Sequence, residues 1–129
     1  MRRPVVALIA SWLLCSGLPA GVAHAQDADW QAVVDSVSRS VVQVRMDRSR
    51  SFATQSAGNS YATGFIVDAE RGIILTNRHV VGPGPARAEA ILLNNEEVPL
   101  EAIYRDPVHD FGFYRFDPSK IRFMDVEAL

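Results

Sequence analysis

The chain is poor in the groups that would suggest several common functions. Among its 129 residues there is one cysteine, Cys15, and there are three histidines. Charge is nearly balanced, with 13 Lys+Arg against 15 Asp+Glu. No basic surplus suggests nucleic-acid binding, and no acidic run suggests a solvating tail. The length allows one domain at most, on a prior of roughly 100–200 residues per domain. No internal repeat or low-complexity tract stands out. An apolar content of 48% argues for a folded chain rather than a disordered one.

Those averages join two unlike segments. Arg2 and Arg3 precede an apolar run, Val5 to Leu14, broken only by Ser11. Gly17, Pro19 and the small-x-small box Ala23-His24-Ala25 follow. This is the layout of a secretory signal peptide over residues 1–25, cut before Gln26. A transmembrane anchor would need about 20 apolar residues, so the expectation is export and no stable membrane span after cleavage. Reading Cys15 as a lipid-attachment site is weaker, because Leu14 stands where a small residue would be expected. Loss of the leader removes the cysteine, so the remainder has no disulfide to lean on and must fold by burying a core. His79 and His109 are then the histidines left.

Along residues 26–129, Asp29 is positioned to cap a short helix. Its apolar positions Trp30, Val33, Val34 and Val37 have the spacing of one buried stripe. Val41, Val42 and Val44 predict a strand, and the polar stretch from Asp47 to Ser60 predicts an exposed loop. Phe65–Val67, Ile73–Leu75, Ala88–Leu93, Val98–Tyr104 and Phe111–Phe116 predict further strands. They are punctuated by the Asp68–Gly72 turn, the Gly82-Pro83-Gly84-Pro85 loop, Asn94-Asn95 and Asp106-Pro107. About six short strands without βαβ alternation indicate an all-β antiparallel barrel or sandwich.

His79 follows a buried strand, at the rim where a base can reach a substrate. Its imidazole can take and return a proton near neutral pH. Asp110 precedes an aromatic strand and could accept the Nδ1 proton of His79. The plain alternatives are a histidine satisfied at a strand end and an aspartate acting as a turn cap. Asp106 reads as a turn former before Pro107, and Phe111, Phe113, Tyr114 and Phe116 as barrel core and surface. His109 beside Asp110 offers only a weak zinc signal, lacking helical His-x-x-x-His spacing.

Thr63-Gly64-Phe65-Ile66-Val67, Ile74-Leu75-Thr76-Asn77-Arg78-His79-Val80-Val81 and Asp106-Pro107-Val108-His109-Asp110-Phe111-Gly112 together resemble the HtrA/Deg family of trypsin-like serine proteases. The Gly82–Pro85 loop resembles a fungal branch of that family. The resemblance spans roughly residues 33–123. It implies a chymotrypsin/trypsin-like barrel, the first of a two-barrel fold, preceded by the short N-terminal helix read from the Asp29–Val37 spacing. It also implies a Ser-His-Asp triad and cleavage of misfolded or regulatory proteins, so the expectation is protein or peptide substrates, no cofactor or metal, and a homo-oligomer in the complete enzyme. His79 matches the family's general base and Asp110 its orienting acid.

The family's nucleophile lies in a Gly-Asn-Ser-Gly-Gly-like segment well downstream, in a second barrel, with PDZ domains usually following. Here Gly58-Asn59-Ser60 continues as Tyr61-Ala62 and precedes the histidine. Ser60 therefore lacks the glycines of an oxyanion hole and stands in the wrong order. Thr63 replaces a serine common in relatives, a minor change. The expectation is a signal peptide at 1–25 and, at 26–129, the N-terminal half of a protease domain that is inactive alone. A complete, non-catalytic exported barrel used for binding is the competing reading, and a small metal hydrolase a third.

Overall fold

Alternation of apolar and polar side chains sets the strands of the barrel. The computed structural model describes residues 22–52 and 55–129. A helix, α1 (Val22–Ser40), is followed by β1 (Val41–Arg48), β2 (Gly58–Asp68), β3 (Ile73–Thr76), β4 (Arg87–Ile91), β5 (Glu97–Arg105) and β6 (Gly112–Arg115). A short 3-10 turn, Pro118–Lys120, comes last. In β1, Val42, Val44 and Met46 are buried while Gln43 and Asp47 face solvent, the period-two pattern of a half-buried strand. The strands close in the order β1-β2-β3-β6-β5-β4, with β4 returning to β1 and every pair antiparallel. Closure removes the free edges through which an open sheet would aggregate.

The interior is filled mainly by Val42, Val44, Ile66, Ile74, Val98 and Tyr114. Gly64 sits where β2 crosses this core, and a Cβ there would come within 2.7 Å of Ile74 Cγ2. At the β2–β3 turn Gly72 has φ +67°, which glycine adopts at little cost, and its carbonyl accepts from Phe116 N–H at 2.8 Å. The predicted hairpin forms at Asn94-Asn95, where Asn95 takes φ +65°, a conformation asparagine tolerates.

The last residues close the base of the barrel. Ile121, Met124 and Val126 pack against the core, and Leu129 N–H donates to Ile66 O at 2.8 Å. Glu127 pairs with Arg39 at 2.8 Å and accepts from Ser36 Oγ at 3.0 Å, tying this segment to the end of α1.

Two expectations need correction. The helix does not begin at Asp29, which lies within it, and its stripe is not buried. Trp30 is 69% exposed and Val33 52%, because α1 is fastened through Ser36, Arg39 and the buried Ser40 near its C-terminal end. Further back, no described element lies over the stripe. The Asp47–Ser60 loop is also shorter than its polarity suggests. Asp47 pairs with Asn59 and Arg48 with Gly58, since outward polar side chains do not prevent a barrel ladder from continuing. The segment read as a leader lies outside the described residues, apart from its last four positions at the start of α1. Among the described residues, no helix is long and apolar enough to cross a membrane.

Candidate active site

β3 ends at Thr76, whose buried hydroxyl donates to Thr63 O at 2.8 Å. The chain then turns, with Asn77 O accepting from Val80 N–H at 3.0 Å. Val80 and Val81 drop into the core, and Tyr114 Oη donates to Val80 O at 3.1 Å. Two buried valines thus anchor the turn from below. The His79 side chain is left outside, 72% exposed. An imidazole accessible to solvent on a fixed backbone is the result.

Asp110 leaves a second turn, between β5 and β6, at the same end of the barrel. His79 Nδ1 lies 2.9 Å from Asp110 Oδ2 and 3.2 Å from Oδ1. The main-chain N–H of His79 donates to Oδ1 at 3.2 Å. Asn77 Nδ2 donates to Oδ2 at 3.2 Å and to the Asp110 carbonyl at 3.4 Å. Burial works against ionisation of Asp110, but the His79 N–H, the His79 ring and the Asn77 amide outweigh it and hold the carboxyl below its ordinary range. An ionised carboxylate can only accept, so Nδ1 carries a proton, and in the neutral form of the ring the free lone pair belongs to Nε2.

Further bonds lock the two turns together. Arg78 Nη1 donates to Pro107 O at 3.2 Å, and Arg105 Nε to Arg78 O at 3.4 Å. From the β1–β2 loop, Gln55 Nε2 donates to His79 O at 2.9 Å.

The other candidate residues are placed elsewhere. Ser60 lies within β2, where its Oγ accepts from Arg48 Nη1 at 2.6 Å, and no hydrogen bond joins it to His79. His109 Nδ1 lies 3.2 Å from Asp106 Oδ1, and its ring stacks on Phe111 with centroids 6.0 Å apart. Among the described residues, no three His, Cys, Asp or Glu side chains converge as metal ligands would. Asp106 forms the expected turn, accepting the N–H groups of Val108 and His109 at 2.8 and 2.6 Å.

Residue-type reasoning overlooked Asn77 and Gln55, both bonded to the His79–Asp110 pair. Asn77 lies two positions before the histidine, a separation at which a turn can bring both side chains to one partner. Gln55 sits in a polar loop with no periodic signal.

A closed antiparallel barrel with a His–Asp pair at its rim is the architecture of a trypsin-like peptidase's first barrel. The trypsin-like peptidase domain family matches residues 62–128. The chain belongs to that family, and within it to the HtrA-like proteases. Protease Do-like 7 of Arabidopsis thaliana is 55% identical over 101 residues, covering 78% of this chain and 9% of that protein. Pro-apoptotic serine protease nma111 of Aspergillus oryzae is 51% identical over 112 residues, covering 87% of this chain and 11% of that protein. The chain therefore spans about a tenth of the length of these relatives. Among solved structures, the HtrA-type protease AlgW with tripeptide superposes with a TM-score of 0.56 at 20% identity, over 68% of this chain and 26% of that one. At that identity the likeness establishes the fold.

Proposed function

We propose that the chain is the base- and acid-bearing part of an HtrA/Deg-type serine endopeptidase. The observation that carries this reading is the 2.9 Å contact of His79 Nδ1 with Asp110 Oδ2, made while Oδ1 accepts the His79 main-chain N–H. His79 Nε2 takes the proton of a serine as it attacks the scissile carbonyl, then returns it to the leaving amine. Asp110 holds the ring in the required tautomer and stabilises the imidazolium between those steps. Protein or peptide substrates and homo-oligomeric assembly of the complete enzyme are part of the same reading, supported by the family to which the chain belongs. Export is supported by Arg2, Arg3, the Val5–Leu14 run and the Ala23-His24-Ala25 box. Amino-terminal sequencing of the product should find Gln26 first.

The 129 residues contain no Gly-x-Ser-Gly segment, and on this reading the serine that completes the triad belongs to a segment outside them. Labelling with a fluorophosphonate tests this. A product extended through a downstream Gly-x-Ser-Gly segment should label, and His79→Ala should abolish the label. The 129-residue chain should remain unlabelled. Labelling of the short chain would overturn the assignment and reopen Ser60. Absence of any such segment in the coding sequence beyond codon 129 would overturn it too.

A further inference from the structure

We infer that Asp106 is a positioning residue for the proposed pair, its carboxylate shaping the turn that aims Asp110 at His79. The inference rests on the base-and-orienter reading above. It begins in the register of the barrel. Between β5 and β6, Ala102 pairs with Tyr114 and Tyr104 with Phe113, so Ile103 is an extra residue on β5. Such a bulge moves the following side chain to the other face of the sheet. Tyr104 is thereby brought beside outward-facing Phe113, with ring centroids 6.1 Å apart.

From there Tyr104 Oη donates to Asp106 Oδ2 at 3.0 Å. The other carboxylate oxygen, Oδ1, accepts the N–H groups of Val108 and His109 and faces the His109 ring. Asp106 N–H in turn donates to Phe111 O at 3.0 Å, closing the turn across its base. Asp106 is only 8% exposed, and both its oxygens are engaged inside the turn. No hydrogen bond or ion pair joins it to His79, so its influence on the imidazole passes through the turn that carries Asp110.

A turn held by two main-chain donors and a phenol has little freedom to rotate Asp110 away. Without the carboxylate, two inward amides lose their acceptor and the turn must reorganise. Asparagine would keep a carbonyl for those amides, and its amino group could donate to the Tyr104 oxygen. It should therefore rescue what alanine loses.

The test is the tautomer of His79, read by nitrogen-15 NMR of the full chain above the pH at which the ring protonates, with His79→Ala to assign the signal. The parent should hold the Nδ1–H form, and Asp110→Asn should abolish that preference. Asp106→Ala should move the population at least half of the way toward that of Asp110→Asn, whereas Asp106→Asn should leave it close to the parent. Should Asp106→Ala fail to fold, Asp106→Leu takes its place, filling a similar volume while offering the two amides and Tyr104 no acceptor. A parent-like tautomer in the folded alanine or leucine variant, with Asp110→Asn still shifted, overturns the inference. An unshifted Asp110→Asn overturns the base-and-orienter reading instead.

Discussion

Asp110 holds His79 at two points, the ring through Nδ1 at 2.9 Å and the main chain through its N–H at 3.2 Å. Ring orientation and backbone position are therefore set by one carboxylate. Replacing it with asparagine preserves shape but removes the charge and reverses one of the two hydrogen-bonding ends. In the complete enzyme Asp110→Asn should lower kcat by roughly 10³–10⁴-fold, with little change in KM. Steady-state kinetics on a peptide substrate would show it, and a loss below about tenfold would contradict the orienting role.

Asn77 donates to the same carboxylate oxygen that His79 Nδ1 approaches at 2.9 Å, and also bonds the Asp110 carbonyl. Removing it leaves the His79–Asp110 contact in place but frees the carboxylate to swing. Asn77→Ala should cost about tenfold in kcat, the scale of one hydrogen bond to a charged group at a half-exposed site. Asn77→Asp should cost more, because a second negative charge beside Asp110 favours its protonation. Equal losses in the two variants would mean that charge at this position does not matter.

Much of this site was legible in the sequence, for physical reasons that differ from residue to residue. His79 and Asp110 flank short apolar strands, and the antiparallel pairing of β3 with β6 brings the end of the first to the start of the second, Thr76 opposite Gly112. The partner Tyr104 was not legible, because its outward direction depends on the bulge at Ile103, which alternation alone does not reveal. The exposure of the α1 stripe is hidden from the sequence for a related reason. Spacing shows that Trp30 and Val33 share a face, but not whether anything lies against that face.

Acid should weaken the fold in a predictable window. The His109 N–H, opposed by burial and aided by the Val108 N–H and the Tyr104 hydroxyl, holds Asp106 down to about 2. Asp117 is also lowered, by the Ser119 hydroxyl and N–H. An unfolded aspartate titrates near ~3.9, so between that value and the folded one the unfolded chain binds more protons and stability rises with pH. The contribution is complete above the unfolded value and is lost as pH falls through the folded one. Melting temperature should hold steady down to about pH 5 and then fall toward about pH 2. The Asp106→Asn curve should lie below the parent at neutral pH and converge on it in acid. Parallel curves throughout would mean that Asp106 does not carry this dependence.

The contrast between α1 and the barrel can be measured directly. Trp30 is 69% exposed, whereas Ile74 is fully buried in contact with the strands around it. Size alone would rank the tryptophan as the costlier loss. Burial reverses that order, because only area removed from water contributes to folding. Ile74→Ala removes packed methyl groups and leaves a cavity, at a cost of about 2–5 kcal/mol. Trp30→Ser should stay within about 0.5 kcal/mol of the parent in denaturant unfolding. A Trp30→Ser loss as large as that of Ile74→Ala would mean that the helix stripe is covered in solution, by a second copy of the chain or by a segment packed over α1. In that case the cost would depend on protein concentration for the first occupant and not for the second.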